Sequence, residues 1–172
     1  MRRLIIAVLC PVLILTVLTA RYAASARTAK NGVQLLLPVS VLETGEDAFS
    51  PFVRLRYHNF IPIDAMLEKK GTIVVKRPDN GRAEFSSLPS KRPLRPRETL
   101  LKYVVTDNNG ADASVRFSAT FLRFAKTKGF RPESARFAVV TADRSGDALL
   151  TGLADANGTL LVKGIAQTNR NR

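Results

Sequence analysis

The chain has 172 residues, with 27 Lys and Arg against 14 Asp and Glu, one Cys, one His and no Trp. Its length fits one domain with or without a targeting segment, and a composition that is 45% hydrophobic and 24% charged excludes wholesale disorder and collagen-like repeats. A single cysteine cannot close an intrachain disulfide, and one Cys with one His cannot complete a four-ligand zinc site.

Residues 1–26 are predicted to form a membrane anchor or a signal segment. Arg2 and Arg3 precede Leu4–Ala20, an uncharged run that as a helix would be about 25 Å long, close to the thickness of the hydrocarbon core of a bilayer. The small residues that end at Ala26 also fit a secretory signal that is cleaved near Ala26. We expect a retained anchor in the inner membrane with the rest of the chain on the periplasmic side, and secretion after cleavage is the alternative.

Residues 27–166 are predicted to form an extracytoplasmic β domain, followed by a tail at 167–172. Asn-Gly pairs, which favour type I′ hairpin turns, occur at 31–32, 80–81, 109–110 and 157–158. Between them lie short β-branched or aromatic runs, and we expect strands at Val33–Val41, Val53–Tyr57, Thr72–Lys76, Thr99–Thr106, Val115–Phe121, Phe137–Ala142, Ala148–Leu153 and Thr159–Ile165. The predicted class is all-β, an antiparallel barrel or sandwich of short strands and hairpins, preceded by one N-terminal transmembrane or signal helix.

Residues 85–98 are predicted to form an exposed, basic, proline-rich loop, because three prolines in this span forbid a central strand. Its cationic residues are candidates for anion binding: Lys91, Arg92, Arg95 and Arg97. Further basic residues lie upstream: Lys69, Lys70, Lys76, Arg77 and Arg82. Anionic lipid headgroups or envelope polymers fit the expected location, whereas the absence of interleaved aromatic residues argues against nucleic acid. A solvated basic face without a ligand is the alternative.

The sequence contains no convergent catalytic set, and we predict no catalytic, cofactor or metal site. His58, the single histidine, shares a strand face with Arg54 and Arg56, which is typical of a surface residue. The alternative is a Ser/Lys hydrolase related to signal peptidases, because Gly71–Pro78 is similar to one of their strands. Its nucleophile would be Ser40 or Ser50, activated by a buried lysine of lowered pKa.

The segment Ser50–Tyr57, which reads Ser-Pro-Phe-Val-Arg-Leu-Arg-Tyr, resembles the Gly-Asp-Tyr-x-x-Leu-x-Tyr motif of the GDYXXLXY family of bacterial membrane-anchored proteins. Leu55 and Tyr57 match, Phe52 matches in kind, and Ser50 and Pro51 replace the Gly and the Asp. Ala135–Gly158 is also similar to the closing hairpin of the family. The resemblance implies a small β-rich domain outside the cytoplasm that works with a polytopic membrane protein, and it brings no catalytic residues.

The matched positions Phe52, Leu55 and Tyr57 are interpreted as core packing, because Leu55 and Tyr57 share one strand face with Val53. The sequence therefore predicts a membrane-anchored accessory or binding protein of the cell envelope without a cofactor or catalytic activity. Its expected partners are a polytopic membrane protein, an anionic surface, or both.

Overall fold

The computed structural model describes residues 12–17, 19–20, 23, 28, 30–46, 50–58, 61, 68–107 and 114–164. These residues are mostly β, and the predicted all-β antiparallel class is confirmed. The strands are β1 Val33–Glu46, β2 Pro51–Tyr57, β3 Lys70–Lys76, β4 Glu84–Ser87, β5 Glu98–Asp107, β6 Ser114–Arg116, β7 Phe121–Arg123, β8 Phe137–Ala142, β9 Ala148–Ala154 and β10 Leu160–Lys163. A single turn of 3-10 helix, Pro132–Ser134, precedes β8.

The strands form two antiparallel sheets that together make a half-barrel. The larger sheet has the order β10-β9-β8-β1-β2-β7, and the smaller has the order β4-β3-β5-β6. The first half of β1 pairs with β8 and its second half pairs with β2, so this long strand joins the two parts of the larger sheet. A bridge between Leu36 and Arg82 connects β1 to the segment before β4, and a bridge between Phe124 and Gly164 connects the outer strands of the larger sheet.

The main core lies between the two sheets because alternate residues of facing strands point inward. Leu35, Leu37 and Val39 of β1 are buried, and they share one hydrophobic cluster with the buried side chains Val53, Leu55, Tyr57, Ile73, Val75, Leu101 and Tyr103. Each fully buried Leu or Val contributes roughly 1.5–3 kcal/mol to the free energy of unfolding.

A second, smaller cluster lies on the outer face of β1 and contains Leu36, Val139 and Ala154, with Phe137 packed against it. The Arg82 guanidinium lies over the Phe137 ring at 5.0 Å and donates a hydrogen bond of 2.7 Å to the Ala156 carbonyl. The turn before β4 and the turn between β9 and β10 therefore fold over this face. The space between them becomes the cleft described below.

The predicted strand Val115–Phe121 is wrong as a single element. It is divided into β6 in the smaller sheet and β7 in the larger one, with bends between them at 117–120. Phe117 packs edge-on against Tyr57 with ring centroids 5.9 Å apart, and Phe121 stacks on Phe52 at 4.7 Å. The alternation shifts by one residue at this corner, because Phe117 is buried before it and Leu122 and Phe124 are buried after it. Phe121 therefore lies outside the core, on the side of the sheet that carries Phe52.

The predicted type I′ turns at 80–81 and 157–158 are also wrong. Gly81 and Gly158 have positive φ of 75° and 82°, but Arg97 is the one non-glycine residue of the described chain with positive φ, so neither asparagine adopts it. Instead Asp155 Oδ1 accepts the N–H groups of Asn157 and Thr159, each at 2.9 Å. This side-chain bonding favours a hairpin turn over 155–159 in which the fourth residue is a left-handed glycine.

The turn between β8 and β9 repeats this design twelve residues earlier in the chain. Asp143 Oδ1 accepts the N–H groups of Ser145 and Asp147, and Gly146 has a φ of 85°. Of the other Asn-Gly pairs, Asn31-Gly32 follows helical residues, and 109–110 lies outside the described residues. The last β-hairpins are therefore built from one repeated Asp-turn-Gly unit.

The predicted loop 85–98 is shorter than expected. Phe85–Ser87 belongs to β4, an edge strand, and Glu98 begins β5, so the loop comprises 88–97. By contrast, β1 runs on to Glu46, five residues beyond the predicted strand Val33–Val41.

Residues 12–17 and 19–20 are helical. No helix in the described part of the chain is both long and apolar enough to cross a membrane. Most of the predicted anchor, including 1–11, and the tail 167–172 lie outside the described residues.

Candidate anion-binding site

The proline-rich loop ends in a tight turn at Arg95–Glu98. The Glu98 N–H donates to the Arg95 carbonyl at 3.0 Å, and Arg97 has a φ of 69°. With Pro96 before it, this is the geometry of a type II turn, in which glycine is the usual residue at the position that Arg97 occupies. The turn therefore carries an arginine at a position where the backbone conformation favours glycine, which has no side chain.

The Glu98 carboxylate holds this turn in place. It accepts the Arg95 N–H at 2.8 Å, the Ser86 hydroxyl at 2.9 Å and the Arg92 guanidinium at 3.3 Å. The Arg95 N–H is the largest of the effects that lower the pKa of Glu98, and the Ser86 and Arg92 contacts add to it. Glu98 is thus ionised at neutral pH and fixes the exit of the loop.

The four cationic residues predicted to bind anions are all exposed, but they differ in their partners. Arg92 pairs with Glu98, and Arg97 pairs with Asp79 at 2.8 Å. Within the described ranges, no carboxylate forms an ion pair with Lys91 or Arg95. The loop therefore retains two cations without an ion-pair partner, Lys91 and Arg95. A third cation, Arg97, is held beside the turn that contains Asp79.

Arg97 and Arg77 come together at a cleft on the outer face of β1. The Arg77 N–H donates to the Arg97 carbonyl at 2.9 Å, which fixes the two backbones side by side. The cleft, which we call the arginine cleft, has a volume of about 350 Å³ and is lined by Gln34, Leu36, Arg77, Pro78, Asp79, Gly81, Arg97 and Gly158. Two arginines against one aspartate among these residues give the lining a net positive charge.

A second cavity, of about 780 Å³, lies where the helical residues 28, 30 and 31 meet β1. The Gly32 N–H donates to the Thr28 carbonyl at 2.9 Å, and the Thr28 hydroxyl donates to Asp143 at 3.1 Å. The lining residues are Thr28, Asn31, Gly32, Val33, Thr99, Ala142, Asp143, Arg144 and Ser145. Because Thr99 lies two residues after the basic loop, the loop emerges at this end of the domain, which we call the helix end.

Asp143 is the polar centre of the helix end. Its partial burial opposes ionisation, but the Ser145 hydroxyl, the N–H groups of Asp147 and Ser145, and the Thr28 hydroxyl outweigh this and lower the pKa of Asp143. The charged carboxylate ties the helical residue Thr28 to the turn between β8 and β9. This contact couples the helical residues to the β domain.

The upstream basic residues do not form one cluster with the loop. Lys70 pairs in register with Val104, far along β3 from Lys76, which pairs with Glu98. Arg82 covers Phe137, so Arg77 is the upstream residue that enters the cleft. Sequence reasoning missed the grouping of Gln34, Arg77 and Arg97, because only strand register brings these distant positions together.

Ser40 and His58 form an outward-facing pair with 2.7 Å between Oγ and Nε2. His58 is exposed, as predicted, and none of the described carboxylates contacts it to orient the imidazole. Ser40 is thus paired with a histidine rather than with a lysine.

The family-motif positions lie in or against the core. Leu55 and Tyr57 are buried, Phe52 is half-buried against Phe121, and the Tyr57 hydroxyl donates to the Ala119 carbonyl at 2.8 Å. Burial raises the pKa of Tyr57, so its phenol stays neutral. In the described residues, no group of His, Cys, Asp and Glu is placed to hold a metal ion.

These features define a class of protein: an all-β half-barrel domain with a cationic cleft beside the point where helical residues enter. Comparison with family models, with curated proteins and with solved structures finds no match to this chain. The resemblance to the GDYXXLXY family therefore stays a prediction.

Proposed function

We propose that this protein is a membrane-tethered accessory or binding protein of the cell envelope that acts by contact and not by catalysis. The observation that carries the proposal is the position of the basic loop, which emerges at the helix end of the domain. A tether leaving this end would bring the loop cations against the surface of the same membrane.

The helical residues 12–17 and 19–20 support a tether that lies in lipid. Their large apolar side chains are 49–68% exposed: Val12, Leu13, Ile14, Leu15 and Val17. The Thr16 and Thr19 hydroxyls donate to the Val12 and Leu15 carbonyls at 2.8 and 2.7 Å. Polar groups in a bilayer must be satisfied within the protein, and hydroxyl bonding to a carbonyl four residues earlier does so.

The charge at the helix end supports an anionic surface as one partner. Lys91 and Arg95 project from the loop without a described carboxylate partner, and Arg144 lines the cavity beside Val33. A basic residue near an anionic membrane contributes roughly 1 kcal/mol to binding, within a Debye length of about 8–10 Å. A polytopic membrane protein is the second proposed partner, on the strength of the family resemblance.

The proposal is tested by measuring how close the loop lies to lipid. The full chain, with Cys10→Ala and a spin label at Lys91→Cys, is reconstituted in vesicles with and without anionic phosphatidylglycerol. We expect the label to contact the headgroup region of anionic vesicles and to withdraw as salt is added, because salt screens exposed charges.

The matched control carries the label at Arg54→Cys, an exposed strand position that pairs with Glu43 at the other end of β1. That label should stay in water in both kinds of vesicle. Equal lipid contact at the two positions, or no contact at Lys91→Cys, contradicts the proposal.

A further inference from the structure

We propose that the arginine cleft is a specific binding site for a phosphate group, either free or carried by a small polar headgroup. This inference rests on the proposed function only for the source of the ligand. The cleft itself is defined by the geometry of three separate segments of the chain: the start of β1, the turn after β3 and the end of the basic loop.

Two arginines line one small volume. Arg77 and Arg97 both line the space of about 350 Å³, and the hydrogen bond between their backbones keeps them adjacent. A guanidinium offers five N–H donors in a planar fork, which bind the oxygens of phosphate in pairs. A tetrahedral anion can accept from two such forks at once.

The backbone at Arg97 is an independent sign of a ligand site. Arg97 is the one non-glycine residue with positive φ in the described chain, and it occupies a turn position that favours glycine. Strained residues of this kind cluster at ligand clamps, where the surrounding structure imposes the conformation. Here the hydrogen bonds of the ionised Glu98 and of the Arg77 N–H impose the conformation of Arg97. As a result, the Arg97 guanidinium lies at the cleft.

Asp79 occupies the place of the anion in the present structure. Its carboxylate lies 2.8 Å from the Arg97 guanidinium, and the side chains of Arg97 and Asp79 are 57% and 86% exposed. Exposed pairs of this type are weak and exchange readily with solvent. Inorganic phosphate or a phosphate monoester, which carries more charge than a carboxylate at neutral pH, would displace Asp79 from Arg97.

The lining also limits what the phosphate can carry. Leu36, Pro78, Gly81 and Gly158 form the uncharged wall, and the cleft lining contains no aromatic ring on which a nucleobase could stack. The ligand class is therefore a phosphate ester with a small polar substituent, or inorganic phosphate itself.

The test uses the full chain in uncharged maltoside micelles, titrated with inorganic phosphate and with glycerol 3-phosphate and followed by calorimetry. We expect saturable one-to-one binding that Arg77→Gln and Arg97→Gly each weaken at least tenfold. Arg97→Gly is the decisive variant because glycine suits the turn. The midpoint of unfolding should therefore stay unchanged while phosphate binding is lost. Asp79→Asn should bind several-fold more tightly, and Arg54→Gln, at the other end of β1, should bind as the parent chain does.

Two ligand sources give different results in a competition with short-chain phosphatidylglycerol. Displacement of bound phosphate identifies a lipid headgroup as the ligand, and lack of displacement identifies a free phosphate compound. The inference is overturned if the parent chain shows no saturable binding, or if Arg77→Gln and Arg97→Gly bind as it does. Failure here, with salt-sensitive lipid contact at Lys91→Cys intact, would reject the cleft alone and leave the proposed function standing.

Discussion

The two ends of β1 differ in the balance between cationic side chains and carboxylates. Beyond Val41, which we call the far end, Glu43 pairs with Arg54 at 3.3 Å and Glu46 pairs with Lys126 at 3.4 Å. At the helix end, by contrast, Arg77 and Arg97 share one cleft with the single carboxylate of Asp79. Cationic residues elsewhere in the described chain, such as Lys70, do not line a shared cleft. The helix end is therefore distinguished by the grouping of its cations and not by how many there are.

The difference shows which part of the surface serves the fold. Exposed ion pairs contribute about 0–1 kcal/mol each, so the far end gains little stability from its pairs but stays close to neutral. Convergent like charges oppose folding slightly, and they are typical of a surface that meets an anion. The four predictions below test this contrast, from the largest expected effect to the smallest.

The largest expected effect is on the packing of Gly146, in the turn between β8 and β9. At Gly146, an added Cβ would lie 3.2 Å from the Leu100 Cβ and 3.3 Å from the Leu101 nitrogen, and φ is positive. We expect Gly146→Ala to lower the free energy of unfolding by about 2–4 kcal/mol, through backbone strain and overpacking. Urea unfolding followed by circular dichroism measures it.

Gly129 is the matched control, because it has the same backbone conformation with nothing within 4 Å of an added Cβ. Gly129→Ala should lower the free energy of unfolding by about 1 kcal/mol, from backbone strain alone. Equal losses at the two glycines would show that the turn between β8 and β9 is not packed against β5.

Charge at the two ends should differ in binding. The double variant Lys91→Gln with Arg95→Gln should weaken binding of the full chain in uncharged nanodiscs to anionic vesicles by about thirtyfold, since each cation contributes roughly 1 kcal/mol. Co-flotation measures the bound fraction. The control, Arg54→Gln with Lys126→Gln, removes the same charge from the far end and should change binding by less than about threefold. If both double variants weaken binding equally, net charge and not position controls it.

Acid should loosen the helix end first. The pKa of Glu98 is lowered in the folded chain, chiefly by the Arg95 N–H, so the unfolded chain binds the proton more readily. This stability is therefore present above the ordinary pKa of 4.5 and is lost as the pH falls through the lower, folded pKa. Thermal unfolding between neutral pH and about pH 3 should show a shallower acid loss in Glu98→Gln than in the parent chain. Parallel curves would mean that Glu98 does not hold the turn.

The smallest effect is expected at the far end itself. Arg54→Gln breaks the pair with Glu43, and both side chains are more than half exposed, at 57% and 51%. The free energy of unfolding should fall by less than about 1 kcal/mol. A larger loss in urea unfolding would show that the far end depends on its ion pairs.

Much of the fold could be read from local patterns. Phe137–Ala142 was predicted with the bounds that β8 has, and Thr72–Lys76 lies within β3. The change of sheet between β6 and β7 could not be read, because the sequence alternates without a break up to Phe121 while the buried positions shift to Leu122 and Phe124. The type of the turn at Asn157-Gly158 could not be read from the dipeptide, because the carboxylate of Asp155, two residues earlier, decides it.

The candidate site was predicted only in part. The cationic loop residues were identified by composition and by the prolines that keep them out of a central strand. The register between β3 and β5 and the bridge at Leu36 decide the rest of the site. They bring Arg97 to Arg77 and Gln34, and they place Lys91 and Arg95 at the helix end.

By itself, the sequence determined the all-β class, most strand positions and an exposed basic loop, because a period of two and the fixed φ of proline act within a few residues. Only the tertiary structure decided which cations converge. Residues 34, 77, 97 and 158 line one cleft through pairing between distant strands, and such pairing is set by burial of the whole core, which no local pattern encodes.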